Sequence, residues 1–216
     1  MMRVFQNMMV VLMLWLCSCG KKQMNFESTK DYLIWASDLS NGALKSKDVN
    51  GFKLSAKYLH PEFLAIRECG TCSKSEYDSL QALYKTNLSF LVTIGPGEGE
   101  VGDVMKANVT NYAEYSERFL KMNFEFDDRV KLLNEKTTEQ LLVYSLENTY
   151  GLTDHRDMYL VFSNSDSLNS PNGVVEMTVD GNLFGMGICK FRFDKADLNR
   201  KLVFDSMPSN DNMVAS

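Results

Sequence analysis

From Gly51 the chain sorts its residues by position. Phe52, Leu54, Ala56 and Tyr58 alternate with Lys53, Ser55 and Lys57. Successive side chains of a strand point to opposite faces, so this pattern predicts a strand with one buried and one wet face. His60-Pro61 interrupts it, and Phe63 to Arg67 continues as a second short element. Ser73 and Glu76 are spaced as a capping box: the serine oxygen can satisfy the amide three residues on while the glutamate reaches back. Tyr77, Leu80, Leu83 and Tyr84 then share one helical face. LSFLVTI over 88–94 is a compact apolar strand.

The second half reads mostly as strand. Leu120, Met122, Phe124 and Phe126 alternate with Lys121, Asn123, Glu125 and Asp127, and further strands are expected at 140–147 and 158–163. Residues 173–193 read as a hairpin: Val175, Met177 and Val179 alternate, Asp180-Gly181 turns the chain, and Leu183 to Phe193 returns. Gly185 and Gly187 in the return suggest a bulge or close packing. Residues 28–39, around Tyr32, Ile34 and Trp35, fit helix or strand equally, and Asn41-Gly42 marks a turn. Seven or eight strands with one or two helices predict a mainly β chain, an antiparallel β-sandwich, with α+β as the alternative. The globular domain is expected over 31–204, with a polar tail over 205–216.

The N-terminus has a different character. One positive charge, Arg3, precedes an apolar run from Met8 to Leu16, too short for the roughly 20 residues a membrane span needs. A charged start, a short apolar run and small residues describe a secretory signal peptide. Leu16-Cys17-Ser18-Cys19 closes the run and resembles the lipobox of bacterial lipoproteins. That resemblance implies cleavage after residue 18, acyl chains on Cys19, loss of Cys17 with the signal, and a lipidated tether over 19–30. Several acyl chains anchor stably, at about 0.8 kcal/mol per buried CH₂.

Removing residues 1–18 leaves 22 basic against 28 acidic residues, a formal charge of −6. Such a domain offers no basic stripe for nucleic acid. Cys69-Gly70-Thr71-Cys72 could be a redox dithiol, but no aromatic precedes it and the flanking pattern is wrong for a thioredoxin fold. A short loop disulfide between Cys69 and Cys72, or an incidental pair, fits an oxidising compartment. Cys189 alternates with Phe191 and Phe193 and reads as a small buried hydrophobe.

The stretches 40–68, 116–133, 144–151 and 158–163 (SNGALKSKDVNGFKLSAKYLHPEFLAIRE, SERFLKMNFEFDDRVKLL, YSLENTYG, MYLVFS) resemble a family of uncharacterised lipoproteins of the Bacteroidota. The family brings no activity, cofactor or catalytic residue with it. It implies an outer-membrane location facing the periplasm, because Gly20-Lys21-Lys22-Gln23 lacks the acidic residues that follow the anchor in surface-exported members. It also implies a candidate O-glycosylation site at Ser167, within Asp166-Ser167-Leu168.

The sequence offers little recognisable chemistry. Gly97-x-Gly99-x-x-Gly102 follows a strand, but Glu98, Glu100 and Asp103 would repel a pyrophosphate and no apolar helix starts at the last glycine, so no nucleotide is expected. His60 and His155 lack partners at zinc-ligand spacing, and Asn164, Asp166 and Asn169 lack a calcium-loop pattern, so no metal or cofactor is expected. No Gly-x-Ser-x-Gly elbow occurs. The expectation is therefore a lipid-anchored module acting by binding, chiefly to other cell-envelope proteins. A glycan- or lipid-binding module is the alternative, requiring Tyr112, Tyr115 and Tyr150 to be exposed. The third reading is a hydrolase whose carboxylate pair is assembled by the fold.

Overall fold

The computed structural model describes residues 23–147, 149, 152–165 and 172–205. Among them are 11 strands in three sheets and five α-helices. The fold is mixed α+β, not mainly β. Strands β2 (Leu44–Val49), β3 (Phe52–Leu59), β4 (Asn87–Pro96), β8 (Arg156–Ser163) and β7 (Leu141–Leu146) form one antiparallel sheet in the order β2-β3-β4-β8-β7. Strands β5 (Val130–Asn134), β6 (Thr137–Glu139), β9 (Val174–Asp180) and β10 (Ile188–Asp194) form a second, in the order β10-β9-β5-β6. A parallel pair joins β1 (Met24–Phe26) to β11 (Leu202–Phe204). Residues 24–26, assigned to the tether on sequence grounds, are therefore part of the folded body.

The alternating residues do what the pattern requires. Phe52, Leu54, Ala56 and Tyr58 share one buried core with Phe90, Val92, Ile94, Met158, Leu160 and Phe162 of their own sheet, and with Leu132, Met177, Val179, Phe191 and Phe193 of the other. The rings of Phe90 and Phe193 meet across the two sheets at 5.3 Å. Each such side chain contributes about 1.5–3 kcal/mol on burial, which makes this core the main store of stability.

One expected strand is a helix, and two stretches left without a type are helices too. The alternation over 120–126 falls mostly on α4 (Tyr112–Phe124), whose N-cap Asn111 accepts from the Glu114 amide. Only Met122 and Arg118 of that helix are buried. Arg118 fixes it to the preceding loop by donating from Nη1 to the carbonyls of Val104, Met105 and Ala107 at 3.0, 3.3 and 2.7 Å. Leu120 and Phe124 lie one turn apart on its exposed side, so the period of two was incidental. The element after His60-Pro61 is α2 (Pro61–Cys69), with proline at the first helical position, where its missing N–H costs nothing. The ambiguous 28–39 stretch is α1 (Thr29–Ala36), capped by Ser28. The capping box at Ser73 and Glu76 is formed and opens α3 (Lys74–Lys85).

The return of the hairpin also starts later than its pattern implies. Residues 182–184 form a 3₁₀ turn and pairing begins at Ile188 opposite Asp180. Gly185 and Gly187, at φ 69° and 67°, occupy the left-handed region that this wider loop requires. A four-residue helix α5 (Lys195–Leu198) then leads to β11.

Helices α1–α3 and the β1–β11 pair cover one end of the five-stranded sheet's outer face. A second core forms there from Phe26, Tyr32, Ala36, Leu59, Phe63, Leu64, Ile66, Tyr77, Leu202 and Phe204. No helix among the described residues is long and apolar enough to cross a membrane.

Candidate functional site

Four stretches of chain converge at the edge of this second core. The start of α2 supplies Pro61 and Glu62, α3 supplies Lys74, Tyr77, Asp78, Gln81 and Lys85, the ends of β4 and β8 supply Asn87 and Asn164, and 198–203 closes the far side. They enclose a cleft of about 630 Å³ with Tyr58 also in its wall. That volume lies in the range of small-molecule sites, about 300–1,000 Å³.

Glu62 is the central group. It sits in the first turn of α2 and is buried, with Gln81 Nε2 donating to its Oε1 at 3.2 Å and Lys85 Nζ 3.5 Å away. Burial raises its pKa, and its own backbone amide and Lys85 offset this only in part. Tyr77 faces the same cleft. Its hydroxyl is buried without a hydrogen-bond partner among the described residues, as is Oδ1 of Asn164. Burial, with Glu62 and Asp78 nearby, pushes the Tyr77 hydroxyl pKa up, so it remains a neutral donor. A buried polar group left unpaired costs about 1–3 kcal/mol, so two on one cleft wall are notable.

Behind the wall lies a third unpartnered group. His60 caps no amide through its side chain, and both of its ring nitrogens are buried without partners. Its ring packs against Tyr58, Tyr32 and Trp35 at centroid distances of 4.8, 6.0 and 6.1 Å. Burial, helped by Arg200, lowers its pKa to about 3, so it is neutral. The backbone here is tied instead by Tyr32, whose hydroxyl accepts from the His60 amide at 3.2 Å and donates to the Tyr58 carbonyl at 3.4 Å.

The residues singled out by sequence are scattered. Cys19, Ser167, Asp166, Asn169 and Tyr150 lie outside the described residues. Cys69 and Cys72 are joined by a disulfide between the end of α2 and the start of α3, the two helices that carry Glu62 and Tyr77. Cys189 is buried and free. Tyr112 is exposed and Tyr115 half-buried, their rings stacked at 6.3 Å on α4 and not on a sheet face.

The glycine-rich loop serves packing. The Gly97 amide donates to the Gly51 carbonyl at 2.8 Å, and a Cβ there would lie 2.9 Å from that carbonyl carbon. Arg156 holds Asp103 at 2.8 Å. His155 lies on a polar groove of the outer sheet face, with Nδ1 3.0 Å from Asp154 and Nε2 3.9 Å from Asp157. The Thr93 hydroxyl there donates to Asp157 at 2.5 Å rather than to the imidazole. Among the described residues no group of three His, Cys, Asp or Glu could hold a metal.

Sequence reasoning passed over Glu62, read Tyr77 only as part of a helical face, and weighed Asn164 only as a metal-loop ligand. A glutamate in the first turn of a helix is an ordinary surface residue by pattern, and only the arrival of α3 and β11 buries it.

No protein-family model and no curated protein matches the chain. Two solved structures are similar to it. A protein of unknown function from Burkholderia pseudomallei aligns at 11% identity and a TM-score of 0.35, covering 79% of this chain and 88% of its own. A DUF4426 family protein from Pseudomonas aeruginosa aligns at 11% identity and a TM-score of 0.31, covering 70% of this chain and 92% of its own.

Proposed function

We propose that the protein is a binding module of the cell envelope, held on the periplasmic side of the outer membrane through acylated Cys19, and that it captures a small polar ligand in the cleft beside Glu62. The observation that carries this reading is the convergence of two unpartnered buried groups, the Tyr77 hydroxyl and Asn164 Oδ1, with the buried Glu62 carboxylate on one cavity. Groups left this way lower the stability of the free protein and are satisfied by a ligand that reaches them. The two antiparallel sheets supply a sandwich-like platform on which α2 and α3 hold the cleft.

Thermal denaturation of the detergent-solubilised full chain against a panel of small envelope components tests the reading. A true ligand raises the melting temperature by an amount that grows with the logarithm of its concentration above Kd. The gain should vanish in Tyr77→Phe/Asn164→Ala. A gain that survives in that double variant would place binding elsewhere.

A second reading, docking to other envelope proteins, has its own support. Helix α4 exposes Tyr112, Phe124, Leu120 and Phe119 at 81, 70, 51 and 44% of their surface. Such an apolar face on a soluble domain marks an interaction surface. Crosslinking in living cells with Phe124→Asp as the control tests it: a partner retained by the variant argues against this face. The hydrolytic reading has less support. Asp78 provides a second carboxylate in the cleft, but it is held in an ion pair by Lys74 and is half exposed.

A further inference from the structure

We infer that the ligand of this cleft is an acidic saccharide, its charge held by Lys85 and Lys201 and its hydroxyls by Glu62, Tyr77 and Asn164. The inference rests on the cleft being a ligand site and adds what the ligand is.

Charge comes first. The chain carries a net −5, yet the cleft is lined by Lys74, Lys85, Arg200 and Lys201 against only Glu62 and Asp78. Lys74 is engaged by Asp78 and Arg200 by Asp197. Lys85 lies 3.5 Å from Glu62 and keeps half of its side chain in solvent, and Lys201 is exposed. The Lys201 ammonium, with that of Lys85 shared between Glu62 and solvent, is thus presented at a cavity on an acidic protein, where it attracts an anion and orients it.

The interior asks for something else. Glu62 and Asn164 Oδ1 accept hydrogen bonds, and the Tyr77 hydroxyl can donate or accept. An anion alone supplies acceptors and would leave Asn164 Oδ1 unmet. A ligand with several hydroxyls behind its charged group answers both halves. The apolar part of the wall, with Pro61, Leu198, Leu202 and Val203, is interleaved with these polar groups. An acidic sugar fits the polarity, the charge and the volume together.

Calorimetry on the detergent-solubilised full chain provides the test, with trigalacturonate, its fully methyl-esterified form and inorganic phosphate as probes. The ester keeps the ring hydroxyls and removes the charge. Trigalacturonate should bind, the ester about tenfold more weakly, and phosphate more weakly than either. Lys201→Gln, at an exposed position, should shrink the ratio of acid to ester, whereas Tyr77→Phe should weaken both alike. Equal affinity for acid and ester, or no heat from either saccharide, overturns the inference. The underlying reading is judged separately by amide shifts in NMR. A neutral ligand perturbing Tyr77, Gln81 and Asn164 would preserve the cleft and refute only the acidic class. A panel that perturbs none of them would refute both.

Discussion

The protein has two cores of similar dryness and different chemistry. Around the sheet core most buried polar side chains are tied down: Arg118 to three carbonyls, Arg156 to Asp103, and Lys195 Nζ to Glu135 at 2.7 Å, while Asn134 donates to Glu139 but leaves its own Oδ1 without a partner. Beside the helices, His60 and Tyr77 are just as buried and their side chains bond to nothing among the described residues. Burial without partners is the costlier arrangement; on the sheet side it occurs at isolated atoms such as Asn134 Oδ1 and Arg129 Nε, whereas His60, Tyr77 and Asn164 gather at and behind one cleft. The helical core gives up stability where its cleft opens.

Breaking the sheet core should have the largest effect. Phe90 is fully buried between the sheets, touching Tyr58, Phe162 and Phe193. Phe90→Ala should lower the unfolding free energy by about 3–5 kcal/mol in urea titrations. A loss under about 1 kcal/mol would mean that the two sheets do not share one cooperative core.

Acid should act next, and on the other side. His60 takes up a proton in the unfolded chain near pH 6.5 but in the fold only near 3. The folded value is the depressed one, so the unfolded state binds the proton first and gains as pH falls. The stability from keeping His60 neutral is complete above about pH 6.5 and is lost progressively toward pH 3, at about 1.4 kcal/mol per unit. A loss of a few kcal/mol by pH 4 is expected. His60→Phe, set among Tyr32, Trp35 and Tyr58, should flatten that part of the profile. Parallel pH profiles for the two proteins would remove His60 from the account.

The two cores also differ in how far the sequence disclosed them. Alternation at Phe52–Tyr58 and Val175–Val179 reports a face because a strand's period is two wherever one side is buried. The capping box at Ser73 is equally local, being four residues bonding among themselves. Helix α4 misled because Leu120, Met122, Phe124 and Phe126 happen to alternate, while the groups that hold it, Asn111 on the Glu114 amide and Arg118 on three carbonyls, bond to backbone and leave no hydrophobic signature. The edge strand β2, with lysines at Lys45 and Lys47, was invisible for a related reason: much of it is wet, and its place is set by pairing with β3. The cleft was the least legible part. Glu62, Tyr77 and Asn164 are separated by up to a hundred residues and no spacing rule links them; the fold alone makes them neighbours.

Loosening the join between α2 and α3 should have a moderate, local effect. The Cys69–Cys72 bond closes a very short loop, for which chain entropy predicts about 2 kcal/mol. Cys69→Ser/Cys72→Ser should lower stability by that amount or less. Hydrogen exchange should rise over 61–85 and remain slow in β3, β4 and β8. Uniform acceleration would show the two cores to be one unit.

The smallest change is also the most telling, because its sign is opposite. The folded pKa of Glu62 is raised by burial, so the folded state holds the proton more tightly than the unfolded chain. Its favourable contribution is present below the unfolded value of 4.5 and is lost as pH rises through the folded one. Above that folded value the site carries a buried carboxylate that the fold tolerates at a cost. Glu62→Gln keeps the shape and the contact with Gln81 while removing that cost. It should stabilise the protein at pH 7 by an amount in the ~0.5–2 kcal/mol range found when such sites are relieved. The gain should fade as pH approaches 4, where the wild-type side chain becomes neutral too. The same substitution should weaken any ligand that donates hydrogen bonds to this carboxylate. A more stable protein that binds less well would establish that Glu62 is kept for binding. A less stable one would make it a structural partner of Gln81 and Lys85, and the contrast between the two cores would then lose its strongest member.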